Sequence, residues 1–135
     1  MKGENMRGMA KLAAAVACAA LPTVLIAAPA QAGPPKGDGV SVQHYACNSS
    51  VVPPNRDPIS AITGASSGAR IRTGSSTSCT SVGASEPSDR LDYYCWTLGS
   101  DRATWTYLRN VRTGKRGWTR DDLLPGGGSN YACPQ

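Results

Sequence analysis

No phenylalanine occurs anywhere in the 135 residues, and histidine occurs once, as His44. Without Phe, a folded core must draw its aromatic volume from three Trp and five Tyr. Each of those rings carries a polar atom that needs a partner when buried. A single histidine leaves a serine or cysteine nucleophile one candidate for its base, and it leaves no His-rich zinc spacing. Acidic residues are also scarce, nine against fourteen Lys and Arg. Only one long apolar run is present, Leu12 to Ala28, and beyond it no amphipathic helical period recurs.

That run belongs to a leader. Lys2, Arg7 and Lys11 precede it, and Ala30-Gln31-Ala32 follows with small residues where a signal peptidase cuts, so residues 1–32 read as a signal peptide. Seventeen residues interrupted by Pro22 fall short of the roughly 20 needed to span a bilayer. The expectation is therefore a secreted, extracellular chain with no stable membrane anchor after cleavage. Taking Lys2, Arg7 and Lys11 from the basic residues and Glu4 from the acidic ones leaves eleven against eight, a mild excess of about +3.

What remains is a single domain's length, 103 residues from Gly33 to Gln135. A chain of this size buries only about 60 to 65 per cent of its unfolded surface, so covalent staples are expected. Cys47, Cys79, Cys95 and Cys133 supply an even number in an exported chain, which reads as two disulfides. The Glu86-Pro87-Ser88-Asp89 turn signal, followed by Leu91 and Tyr93 at strand spacing, suggests a hairpin. A turn centred there pairs residues whose numbers sum to about 175, which sets Cys79 opposite Cys95 at bridging distance and leaves Cys47 to Cys133.

The mature chain divides into a flexible lead-in and arm at 33–68, a β module at 69–124 and a C-terminal tail at 125–135. Gly33 to Gly39 is too polar to bury a core. Val51-Val52-Pro53-Pro54 favours extended chain, and Ile59 and Ile62 could add an edge strand. Within the module, five short strands are expected at 69–73, 79–85, 90–98, 104–111 and 115–119, with Thr113-Gly114 turning the last hairpin. Alternation points Ile71, Leu91, Tyr93, Thr106, Leu108, Leu123 and Leu124 inward. Trp105 and Tyr107 then lie on the opposite, outward face.

The order Ala69-Arg70-Ile71-Arg72-Thr73-Gly74, Ser75 to Ser78, Val82-Gly83, and Gly114-Lys115-Arg116-Gly117-Trp118 followed by Leu123-Leu124 resembles the bacterial SH3-type domain. The resemblance covers residues 69–124 and implies an all-β, SH3-like barrel of about five strands, here disulfide-stapled and preceded by an extended arm. It also implies a binding module rather than an enzyme, because such domains are commonly attached to cell-wall hydrolases and are thought to recognise peptidoglycan peptides. The chain differs from that pattern in having no catalytic partner domain and in carrying cysteines, and so looks similar to small stand-alone secreted forms.

Three motifs with catalytic overtones give way to plainer readings. Gly64-Ala65-Ser66-Ser67-Gly68 matches a nucleophile elbow, but strand-like residues follow where a helix is required. His44 lies outside the module, beside a bridged cysteine. Asp121-Asp122 places adjacent carboxylates in different directions, suiting a short helical turn better than acid and base roles. No cofactor, metal or nucleic acid is called for. Binding chemistry has better support, since Tyr93, Tyr94, Trp96, Trp105, Tyr107 and Trp118 fall within 26 positions and amphipathic rings favour recognition surfaces. Trp96, Trp105 and Tyr107 are the groove candidates, joined by Arg116. Arg109, Arg112, Lys115, Arg116 and Arg120 on one hairpin could attract an anionic wall polymer. The expected partners are thus a peptidoglycan peptide or an extracellular protein bound by a monomer, and a small hydrolase is a remote alternative.

Overall fold

The computed structural model describes residues 44–134. The signal-peptide assignment and the first part of the lead-in lie outside the described residues. Five strands form one antiparallel sheet: β1 (Ala69–Arg72), β2 (Ser81–Ser85), β3 (Leu91–Leu98), β4 (Thr104–Asn110) and β5 (Arg116–Arg120). A short 3-10 turn, Asp121–Leu123, follows β5. The strands therefore fall within two residues of their expected limits, and Asp121-Asp122 begins a helical turn.

The sheet order is β2-β1-β5-β4-β3. It is open, because β2 and β3 occupy opposite ends and form no ladder with each other. The turn at 86–89 does form: the Asp89 amide donates to Glu86 O and the Glu86 amide to the Asp89 carboxylate. It is a corner rather than a hairpin. Asp89 also accepts from Asn110 Nδ2 at 2.7 Å and from Arg112, which ties the corner to the end of β4. β2 then pairs back on β1 while β3 pairs forward on β4.

This topology overturns the expected Cys79–Cys95 and Cys47–Cys133 bridges. The observed disulfides are Cys47–Cys79 and Cys95–Cys133, with Cα separations of 5.1 and 4.9 Å. Pairing by constant sum holds only along a ladder, and β2 and β3 share none. Cys79 instead closes the turn before β2, where its amide donates to Ser76 O, and meets the arm. Cys95 sits midway along the edge strand β3, across from Tyr107, and meets the tail.

Both faces of the sheet are covered. The inner face holds Ala65, Ala69, Ile71, Leu91, Tyr93, Leu108 and Leu124, with Ile62, Val82 and Leu123 packed against them. The residues expected inward from strand alternation are thus buried, Leu123 partly so. Gly117 permits the crowding between β5 and β1, because a Cβ there would stand 2.4 Å from Arg72 O and its φ of +156° disfavours a side chain. On the outer face a second cluster joins Cys95, Trp105, Tyr107, Trp118 and Cys133, flanked by Tyr45 and Tyr94.

Arm and tail are built into this frame. The Ile62 and Leu91 backbones exchange two 2.8 Å hydrogen bonds, and the Arg56 and Asp57 amides donate to Tyr94 O. Ile62 therefore makes a bridge, whereas Ile59 stays exposed. The tail runs parallel to β3 at Trp96, whose amide donates to Tyr131 O at 2.7 Å and whose carbonyl accepts from Cys133 at 2.9 Å. These segments cap the β3 edge, which would otherwise offer free backbone groups to another chain. Beneath them Ser129 donates its hydroxyl to Asp57 and its amide to Thr106 Oγ1, and Thr106 Oγ1 donates to Asp121 Oδ1 at 2.6 Å. One buried polar chain thus links arm, tail, β4 and the 3-10 turn.

Candidate functional site

Directly opposed residues in an antiparallel ladder project from the same face. The pairs Tyr107 with Trp118, Trp105 with Arg120, Arg109 with Arg116, and Arg72 with Trp118 therefore assemble one surface from β1, β5 and β4. Trp105 and Tyr107 do project opposite to Thr106 and Leu108, as alternation requires, but they are not open to solvent. Trp105 is 1 % exposed, Tyr107 7 % and Trp118 2 %. Tyr45 of the arm stacks on Trp118 with ring centres 4.6 Å apart, Tyr107 meets Trp118 edge-on, and Tyr94 leans on Tyr107. The cystine to the tail covers the same ground. In a chain without Phe these rings serve as a second core.

Trp96 departs from the expected groove for a different reason. The β3–β4 register shifts between Tyr93 and Cys95, so one extra residue bulges out and the alternation reverses. Trp96 then opposes Thr106 and shares its face, away from Trp105 and Tyr107, and it is buried under the tail. Of the four proposed ligand residues, Trp105 and Tyr107 are thus neighbours, Arg116 is exposed beside Tyr107, and Trp96 is elsewhere. Burial pushes the Tyr107 phenol up, against the opposing pull of the Arg116 charge.

The basic hairpin is divided in the same way. Arg109 and Arg116 face each other across β4 and β5. Lys115 lays its stem over Gly83, and Arg112 is committed to the buried Asp89 carboxylate through Nε and Nη2. Those Arg112 bonds, then the Glu86 amide and the Asn110 side chain, hold the Asp89 carboxyl well below the usual carboxylate range.

An open feature on this face is a cleft of about 290 Å³ at the other end of the hairpin, lined by Gly68, Arg70, Arg72, Thr77, Trp105, Arg120, Asp122 and Leu123. Arg70 and Arg72, two apart on β1, project together because Ile71 between them is buried inward. Arg72 Nη1 donates to Cys79 O at 2.8 Å, which fixes one edge of its fork. Arg120 donates through Nε and Nη2 to Asp122. Among the described residues the Arg70 side chain carries no hydrogen bond or ion pair. Trp105 Nε1 is directed away, to Asp101 Oδ1 at 3.1 Å, and the indole lies so close to Gly99 that a Cβ there would be 2.3 Å from Nε1. The signal for this cleft was present in the sequence as Arg-Ile-Arg, where i, i+2 spacing on a strand puts both guanidinium groups on one side.

Ser66 and His44 each have partners of their own. Ser66 lies in the bend before β1, its carbonyl accepting the Ala69 amide and its own amide donating to Leu123 O. His44 Nδ1 stands 2.8 Å from Ser75 Oγ. That hydroxyl also accepts the Tyr45 amide and is fully buried, so no substrate can reach it. Among the described residues no group of three His, Cys, Asp or Glu side chains could hold a metal ion, and no helix is long and apolar enough to cross a membrane. Comparison with known proteins finds no match, whether with family models, curated proteins or solved structures.

Proposed function

We propose that the chain is a secreted, non-catalytic binding module of SH3-like build that takes a peptide or cell-wall ligand of the peptidoglycan type. The arginine-lined cleft on the outer face carries this reading. It is an accessible concavity with a few fixed polar groups over partly apolar walls, the usual make-up of a small ligand site. The sheet order supports the SH3-like assignment in its coarse form, a single five-stranded antiparallel sheet with β2 and β3 at its two ends. Two disulfides favour an oxidising, extracellular setting. Purified protein should sediment with insoluble peptidoglycan. If it stays in the supernatant with intact walls and with walls stripped of anionic polymer, the reading is lost.

A secreted protein partner is the second reading. It is favoured by Val51, Val52 and Ile59 on the arm, which are 58, 56 and 55 % exposed. Capture of one discrete protein from culture supernatant, lost on Val51→Ser and Val52→Ser, would favour it over the wall. An anionic wall polymer bound through Arg109 and Arg116 would reveal itself by steep loss of sedimentation with rising salt.

A further inference from the structure

Three guanidinium groups line the outer-face cleft against one carboxylate, Asp122. Asp122 is already engaged with Arg120, and Arg72 has one nitrogen on Cys79 O. Arg70 has all five N–H donors unused among the described residues, and Arg72 has its remaining donors. A guanidinium fork matches the two oxygens of a carboxylate or phosphate. The cleft is therefore short of an anion.

Its size and walls narrow the ligand. A volume of about 290 Å³ is at the small end of ligand pockets, suited to an end group rather than a length of polymer. The other outer-face arginine pair, Arg109 and Arg116, is separated from the cleft by the covered Tyr107 and Trp118 row, so no continuous basic track runs between them. Because the lining is net positive, charge alone does not choose between phosphate and carboxylate, and the choice falls to the wall beside the arginines. Half-buried Leu123 gives that wall an apolar surface for a small side chain next to the charge.

We propose that this cleft grips the C-terminal carboxylate of a peptide ending in a small residue, with Arg70 and Arg72 as the carboxylate-binding pair, Arg120 held in place by Asp122, and Thr77 at the rim. The inference rests on reading the chain as a peptide or wall binder and names the part of the ligand that is held. A peptide with its terminus amidated has lost the charge and is refused.

The test is a titration of the oxidised full chain, labelled with nitrogen-15, using N-acetyl-Ala-Ala, its C-terminal amide and inorganic phosphate as probes. The signals to follow are the Trp105 Nε1–H and the arginine Nε–H resonances. The free acid should shift them saturably, and the amide should bind at least about tenfold more weakly. Arg70→Gln, at an exposed side chain, should keep the dispersed spectrum of the folded protein. It should weaken the acid by about tenfold or more, as expected for losing a charge-assisted hydrogen bond. Equal binding of acid and amide, absence of any shift, or saturation by phosphate at a lower concentration than by the acid each overturns the proposal. Sedimentation with peptidoglycan separates the two readings. Wild type and Arg70→Gln sedimenting equally, with the acid inert, leaves the wall reading standing and removes this one. Binding of the acid without sedimentation does the reverse.

Discussion

Replacing Cys95 and Cys133 together by alanine should remove most of the stability of the fold. The bridge closes a separation of 38 residues, and loop-closure entropy assigns it about 3.9 kcal/mol. Both sulfurs are buried in the outer-face cluster. Counting each as a methylene-sized group adds about 0.8 kcal/mol apiece, for a loss of roughly 5.5 kcal/mol. The Cys47–Cys79 bridge spans 32 residues and yields nearly the same entropy, about 3.7 kcal/mol. Only Cys79 of that pair is buried, so alanines there should cost roughly 4.5 kcal/mol. Against a total of about 5–15 kcal/mol for a native domain, either change is severe. Urea denaturation followed by tryptophan emission measures both, since all three indoles are buried. A loss under about 1 kcal/mol for either pair would refute the reasoning. The pairing itself is checked by non-reducing tryptic digestion, because the four cysteines fall on separate peptides, 37–56, 73–90, 91–102 and 121–135. The expected links are 37–56 to 73–90 and 91–102 to 121–135. A 73–90 to 91–102 link would overturn the sheet order as well as the bridges.

Thr106→Val deletes the hydroxyl shared by Asp121 and the Ser129 amide; a cost of roughly 2–5 kcal/mol is expected in the same urea assay for two buried polar groups each losing a bond. Asp89 has a folded pKa depressed below its ordinary value, so its stabilising effect is complete above about pH 5 and is lost as pH falls through the folded value. Asp89→Asn should flatten the acid limb of a stability-versus-pH curve, and an unchanged limb would show that Asp89 does not drive it. Tyr45→Ala unstacks the arm from Trp118 and should cost about 2 kcal/mol with a red shift in tryptophan emission; unchanged emission would mean the arm does not cover that ring.

Local signals were legible where neighbouring residues decide the outcome. Strand limits followed from turn residues such as Thr113-Gly114 and Glu86-Pro87-Ser88-Asp89, and inward positions such as Ile71, Leu91 and Leu108 followed from alternation. Alternation could not see the bulge at Tyr94, which reverses Trp96, since an extra residue in one strand shows only against its partner. Nor could it distinguish an outward face from an exposed one. Trp105 and Tyr107 point outward and are buried, because a segment some 60 residues earlier and the chain's own end lie over them. The cleft arginines were readable as a pair on β1, but Arg120 and Leu123 join them only through the β1–β5 contact.

By itself the sequence determined that this is a β-rich chain of short strands, with Cys47, Cys79, Cys95 and Cys133 placed among them as staples and Trp and Tyr as its bulky rings. Those properties depend on residue type and short spacing, which act within a strand or turn. The tertiary structure decided which strand lies beside which, hence which cysteines meet, which aromatic rings are covered and where three guanidinium groups converge. Each of those outcomes depends on contacts between residues far apart in the chain, and the Asp89 corner shows why: a turn sets the local reversal, whereas its bonds to Asn110 and Arg112 choose the direction in which the next strand leaves.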